Sequence, residues 1–149
     1  MSLKLLLSQQ HARLGDLLEL LKTEQACLVA GRVDGGQLQQ LARDKTVLQQ
    51  ALADTEHKRH QVQLRLGYED SNAGAYRAAC DAGCEDLWEQ LRQRAEDTAH
   101  ANRRSGEILQ LRMDQNRGIL EQIHRLANPN VYHADGRARL QNSRLNASA

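Results

Sequence analysis

The chain has 149 residues, of which 26% are charged and 3% aromatic, and its formal net charge is +1. A charge this close to zero excludes a general attraction to nucleic acid or to an acidic membrane surface. The apolar residues are mainly leucine and alanine, which favours helices over sheets. We therefore predict an all-α protein, an elongated antiparallel three-helix bundle or coiled coil over residues 1–127 with a flexible C-terminal docking tail over residues 128–149.

The first predicted helix covers about residues 3–31. Apolar residues recur in it at steps of four and three, which is typical of a helix packed along its length. Two polar residues interrupt this heptad seam, which consists of Leu3, Leu7, Gln10, Leu14, Leu17, Leu21, Glu24 and Leu28. We expect Gly31 to form the C-terminal cap of the helix.

The second predicted helix covers about residues 35–66. Asp34 is positioned to cap its free amides, and Gln37 completes a capping box three residues later. A second heptad seam follows, formed by Leu38, Leu41, Lys45, Leu48 and Leu52. The connection between the two helices is short, so we predict that they pack antiparallel.

The polar interruptions of the two seams fall at the same height if the turn is centred near Asp34 and Gly35. Glu24 then faces Lys45, and we hypothesise a structural ion pair that fixes the register of the helices. Removing one partner would leave a charge partly desolvated, at a cost of about 3 kcal/mol or more. The alternative is that both side chains extend into solvent.

The third predicted helix covers about residues 76–127, after a glycine-rich connection that begins at Leu66. Small and polar residues occupy the middle of its seam, at Thr98, Asn102, Ser105 and Asn116. Such residues lower the packing energy, so this helix is predicted to be held least firmly and to adjust when a partner binds. Alternatively, the asparagines only specify the register.

No pattern of catalytic or metal-binding residues stands out. His57 and His60 are three residues apart and Cys80 and Cys84 are four apart, but nothing near them completes a ligand set. The arginines of the third helix alternate with acidic residues and lack interleaved aromatics, which indicates a solvated face. We predict no enzyme activity, metal, cofactor or nucleic-acid partner. No apolar stretch is long enough for a signal peptide or a membrane span, so we predict no membrane insertion. Three cysteines, an odd number without framework spacing, fit a reducing cytoplasm, so we predict a cytoplasmic protein.

Two stretches resemble the FlgN-type flagellar export chaperones. Residues 17–52, LLELLKTEQACLVAGRVDGGQLQQLARDKTVLQQAL, are similar to the helical hairpin of that family, and residues 131–137, VYHADGR, are similar to its Tyr-x-Ala-Asp-Gly segment. The resemblance implies a cytoplasmic helical chaperone that binds the C-terminal segments of the hook-filament junction proteins FlgK and FlgL. Such a chaperone prevents the premature association of these segments and delivers them to the flagellar type III export gate, where it docks on FlhA.

The resemblance also implies a role for Tyr132 and a region for client contact, within which the residue types give further candidates. Tyr132 matches the family tyrosine associated with docking at the export gate; beside it, Val131 offers a second apolar anchor and Asp135 and Gly136 offer a turn. The family uses its C-terminal half for client contact, and our candidates there are Ile119, Leu120, Ile123, Leu126 and Leu140.

Two alternatives remain at this stage. The segment after Asn128 and Pro129 is either a docking motif or an ordinary solvated terminus. The whole chain is either a chaperone or a structural coiled-coil adapter that homo-oligomerises without a client. A client-free chaperone with an open groove would also self-associate. The oligomeric state alone therefore does not distinguish a chaperone from a structural adapter.

Overall fold

The structure is a computed structural model that describes residues 2–127. Within them it contains four α-helices and no strand: α1 (Leu3–Val29), α2 (Gly35–Arg65), α3 (Asn72–Asp81) and α4 (Glu85–Ala127). The prediction of an all-helical fold is confirmed for residues 2–127. The chain is divided into two compact units, one that ends at Ile108 and one that begins at Leu109. The predicted division into a bundle and a tail at residue 128 stays a prediction, because residues 128–149 lie outside the described part.

Residues of the turn determine where α1 ends and where α2 begins. Asp34 caps α2 as predicted, its Oδ1 accepting a hydrogen bond from the Gln37 amide at 3.1 Å. The prediction for Gly31 was wrong, because α1 ends at Val29 and Ala30 is the C-cap in an extended conformation. Gly31 has no positive φ, so no left-handed glycine cap forms there.

The helices α1 and α2 pack antiparallel, with α1 contributing the apolar side of the interface. Of the predicted α1 seam, six residues are buried and two, Leu14 and Glu24, are half-buried; the buried ones are Leu3, Leu7, Gln10, Leu17, Leu21 and Leu28. The predicted α2 seam is half-buried throughout. As α1 advances from Gln10 to Glu24, its partners move back along α2 from Glu56 to Lys45.

The second half of α2 buries polar side chains instead of leucines. Glu56 receives hydrogen bonds from Gln10 Nε2 at 2.5 Å and from two nitrogens of Arg59 at 2.6 and 2.9 Å. Arg59 also donates to Gln63 Oε1 at 3.0 Å, and the Gln63 amide donates to the carbonyl oxygen of Glu69 at 2.5 Å. This chain of bonds, here called the polar network, ties α1 to α2 and α2 to the connection that leads into α3.

The predicted third helix is two helices in the structure, and this is the main correction to the sequence-based architecture. Gly83 has a φ of +69°, a left-handed conformation that glycine adopts without a Cβ clash. Its amide donates to the carbonyl oxygen of Cys80 at 2.9 Å, and the Cys84 amide donates to the carbonyl oxygen of Ala79 at 2.8 Å. This pair of bonds is the Schellman motif, which ends α3 and lets α4 begin at Glu85. α3 also begins earlier than predicted, at Asn72, where the Ser71 hydroxyl caps the helix.

A hydrophobic core joins α1, α3 and α4 within the first unit. It consists of Leu3, Leu7, Ala78, Ala79, Cys84 and Leu91, with Trp88 packed against it. Farther along α4, Arg94 Nη1 donates to the His11 carbonyl oxygen at 3.1 Å. None of the helices in residues 2–127 is both long and apolar enough to cross a membrane.

Candidate functional site

The second half of α4 exposes a row of large apolar side chains. Every residue from Met113 to Ala127 is exposed. The apolar ones on one side of the helix are here called the α4 stripe, which consists of Leu109, Met113, Ile119, Leu120, Ile123 and Leu126. Monomeric proteins rarely leave a continuous run of such residues in water unless it serves as a contact surface.

The spacing of the stripe explains why its members lie together. Leu109, Met113, Leu120 and Ile123 follow one another at steps of four, seven and three, which keeps them on one face of an α-helix. Ile119 and Leu126 lie along the edge of that face. Leu111 is also exposed, but it precedes Leu120 by about two and a half turns and therefore lies on the opposite side.

Polar residues around the stripe keep this part of the helix soluble. Gln110 donates to Asp114 Oδ1 at 3.1 Å, and Arg125 lies 3.9 Å from Glu121. Exposed pairs of this kind contribute little stability. The arrangement is an amphipathic helix whose apolar face is open, which is the form that binds the apolar face of a second helix.

Four of the predicted client-contact residues belong to the described part of the chain. Ile119, Leu120, Ile123 and Leu126 lie together on the exposed α4 stripe. The remaining predicted interaction residues lie outside the described residues, namely Val131, Tyr132, Asp135, Gly136 and Leu140.

Glu24 and Lys45 are brought together between α1 and α2. Lys45 Nζ lies 3.3 Å from Glu24 Oε1, and the side chains are only 22% and 13% exposed, respectively. The two groups therefore form an ion pair largely shielded from water. The effect of the pair on helix register stays a prediction.

Within the described residues, the titratable groups with shifted pKa values lie in the first unit. Burial raises the pKa of Glu56, but the hydrogen bonds and charge of Arg59 outweigh it, so that the net pKa lies below the ordinary value. Burial and the neighbouring Arg94 lower the pKa of His11. A hydrogen bond to Glu85 raises the pKa of Tyr76. In the described range, no group of three or more His, Cys, Asp or Glu residues is arranged to hold a metal ion.

Sequence analysis missed the polar network of α2. The steps of three and four that run through Leu48 and Leu52 continue at Thr55 and Arg59, and these two residues are buried. The spacing was therefore present in the sequence, but the residues that continue it are polar, so the predicted seam ended at Leu52.

These features are typical of helical proteins that bind another helix, and comparison with known proteins assigns the family. The family model described as FlgN protein matches residues 1–139, so the chain belongs to the FlgN family. The "Flagella synthesis protein FlgN" of Proteus mirabilis is 29% identical over 132 residues, which is 89% of this chain and 86% of the relative. That of Salmonella typhimurium is 28% identical over 131 residues, 88% of this chain and 86% of the relative. No solved structure matches the chain. The family match includes Val131 to Gly136 and ends just before Leu140.

Proposed function

We propose that this protein is a cytoplasmic flagellar export chaperone that binds the C-terminal segments of FlgK and FlgL. Binding keeps these segments from associating prematurely, and the chaperone then delivers them to the flagellar type III export gate. Membership in the FlgN family supports a chaperone role in flagellum synthesis and not an enzymatic one. The observation that carries the client-binding part is the exposed α4 stripe.

The stripe has the chemistry that such a client requires. Fully burying a leucine, isoleucine or methionine side chain contributes about 1.5–3 kcal/mol. Five members of the stripe are about half exposed and Leu126 is 81% exposed, so each offers about 1 kcal/mol or more. Six such residues are enough to offset the lower part of the association cost, which is about 4–15 kcal/mol. An amphipathic client helix adds its own apolar face to the contact.

The segment with Tyr132 is proposed to dock on the export-gate protein FlhA. Tyr132 and Val131 supply the apolar anchors, while Asp135 and Gly136 supply a turn that presents them. All four positions fall within the family match. We assign Leu140 to the client contact together with the α4 stripe.

The client-binding surface is tested by calorimetric titration with the C-terminal peptides of FlgK and FlgL. Leu120→Ser is the test variant and Leu111→Ser the matched control, because both leucines lie on α4 and are 58% and 59% exposed, respectively, on opposite faces. We expect Leu120→Ser to weaken binding about fivefold, the equivalent of about 1 kcal/mol, and Leu111→Ser to leave it unchanged. Equal affinities for the two variants would remove the stripe from the client site.

The docking segment is tested separately with the cytoplasmic domain of FlhA. Tyr132→Ala is expected to abolish FlhA binding while leaving the affinity for the client peptides intact. If the wild-type chain gives no heat with either client peptide and forms only a stable homo-oligomer, the structural adapter is the better description of the protein.

A further inference from the structure

The packing of α4 within the first unit ends at one residue, Ser105. This serine is 1% exposed and is the last buried residue of the helix. Four residues before it, the carbonyl oxygen of Ala101 accepts a hydrogen bond from Gln25 Nε2 of α1 at 2.9 Å. Of the residues from Gly106 to Ala127, two are half-buried and the others are exposed. The helix is therefore packed up to Ser105 and largely exposed beyond it.

The hydroxyl of Ser105 is buried but has no hydrogen-bond partner among residues 2–127. In a helix such a hydroxyl can bond to the carbonyl oxygen four residues earlier, as Thr98 does to Arg94 at 2.7 Å. For Ser105 that oxygen belongs to Ala101, and its two lone pairs already accept from the Ser105 amide of the helix and from Gln25. An unpaired buried hydroxyl is unfavourable, and a bend that opens the backbone hydrogen bond to Ala101 would free an acceptor for it.

The residue after Ser105 is a glycine that packing does not require. A Cβ added at Gly106 would meet no atom within 4 Å. Glycine is less favourable than alanine inside a helix, and helices bend sharply at adjacent glycine and serine residues. The pair Ser105 and Gly106 therefore combines two features that favour a bend, at the point where α4 stops being packed.

We propose that α4 contains a hinge at Ser105 and Gly106, about which the segment Leu109–Ala127 changes direction. Because the α4 stripe begins at Leu109, the hinge moves the whole stripe. Ala127 lies 21 residues beyond Gly106, which is about 32 Å along a helix, so a bend of about 20° displaces it by about 11 Å. In the bent form, Ser105 Oγ donates to the carbonyl oxygen of Ala101.

The test is a distance distribution, measured on the full chain by double electron–electron resonance. Gln49 of α2 and Gln122 of α4 are each replaced by p-acetylphenylalanine, to which the spin labels are attached, so that the three cysteines stay unchanged. Both glutamines are exposed, and one lies in each unit. Gln122 is on the side of α4 opposite Leu120, where a label leaves the stripe free. This first label pair spans the hinge.

A second label pair distinguishes bending of the helix from unfolding. Gln110 and Gln122 both lie beyond the hinge and are 12 residues apart, about 18 Å in a helix. We expect a narrow distribution for this second pair and one at least about twice as wide for the first pair, because only the first pair spans the hinge. Equal widths would overturn the proposal. A broad distribution for the second pair would also overturn it, because the segment would then unfold instead of bending.

Two variants locate the hinge. Ser105→Ala combined with Gly106→Ala removes both features, and we expect it to narrow the distribution of the first label pair about twofold or more. Gly118→Ala is the matched control, because a Cβ there also meets no atom within 4 Å, and it should leave the width unchanged. Neither variant adds bulk to the core, so both are expected to fold. An unchanged width in the double variant, or equal narrowing in Gly118→Ala, would overturn the proposal.

The consequence for the client rests on the proposed function and is tested separately. The hinge lies outside the stripe, so a client bound there should keep its contacts while the hinge changes its direction. We expect the distribution of the first label pair to stay equally broad at saturating FlgK peptide. One narrow distribution with bound peptide would overturn this repositioning of the client. Failure of the peptide to bind would overturn the proposed function alone, because the hinge is measured in the free protein.

Discussion

The ion pair between Glu24 and Lys45 joins α1 to α2, and its contribution to stability can be measured directly. A double-mutant cycle with Glu24→Ala, Lys45→Ala and the double variant removes each charge alone and then both together. The coupling energy of the cycle is the difference between the loss of stability in the double variant and the sum of the losses in the single variants.

The structure sets the expected size of this coupling. At 3.3 Å the Coulomb attraction is about 5 kcal/mol for an effective dielectric constant of about 20, and about 1 kcal/mol in water. Desolvation and side-chain ordering offset much of this attraction. With exposures of 22% for Lys45 and 13% for Glu24, we expect a net coupling of about 1–2 kcal/mol. Each single variant should lose more than this, because it leaves its former partner partly buried and unpaired.

The assay is equilibrium unfolding in urea at low and at high salt, with extrapolation to water. Glu19 and Lys22 provide the control cycle, because they form the same kind of pair at 3.1 Å but are 74% and 60% exposed, respectively. We expect a coupling energy of about 0.2–0.5 kcal/mol for the control pair, and most of it should be lost at high salt. A Glu24–Lys45 coupling no larger than the control value would refute the inference that the pair stabilises the hairpin.

Three further predictions concern the first unit. Gly74→Ala should destabilise the protein by about 2 kcal/mol or more in urea unfolding, because a Cβ there would overlap the backbone of the α2–α3 connection. Gly106→Ala, which meets only open space on α4, should instead stabilise it by about 0.5–1 kcal/mol, and a loss in both variants would contradict the steric explanation. The pKa of Glu56 is lowered in the folded state, mainly through Arg59, so its stabilising effect should be present above its unfolded pKa and be lost as the pH falls through the folded value. The stability difference between wild type and Glu56→Gln should therefore shrink in acid, and a constant difference would disprove the assignment. The pKa of His11 is also lowered, so wild type should lose stability relative to His11→Gln as the pH falls below about 6.5, and parallel pH profiles would contradict this.

The parts of the fold that sequence analysis predicted depend on local signals. The leucines of α1 recur at heptad spacing, and most of them are buried because that spacing places them on the face that α2 covers. Asp34 caps α2 because its short side chain can accept a hydrogen bond from an amide only three residues away. Features of this kind need no knowledge of the rest of the fold.

The parts that were missed depend on partners distant in sequence or on a single backbone angle. Arg59 is bonded to Glu56 and Gln63 of its own helix, but the Trp88 ring, 5.5 Å from its guanidinium, belongs to α4, and the sequence does not show that the two residues meet. The break between α3 and α4 depends on Gly83, which a helix interior tolerates at a cost of about 1 kcal/mol, so that a continuous helix remained plausible. The acidic Glu85 and Asp86 that follow were the additional signal of a new helix start.

The distribution of residue sizes along α4 links the fold to the proposed function. In the first unit α4 buries Thr98 and Ser105, whereas in the second unit its Leu120 and Ile123 are exposed. Stability alone would favour the reverse, since burying a leucine contributes about 1.5–3 kcal/mol and burying a hydroxyl contributes little unless it is hydrogen-bonded. Ser105 Oγ, moreover, has no hydrogen-bond partner among residues 2–127. A helix that buries its small polar residues and exposes its large apolar ones lacks stability that a partner can supply, and client binding to the α4 stripe would provide it.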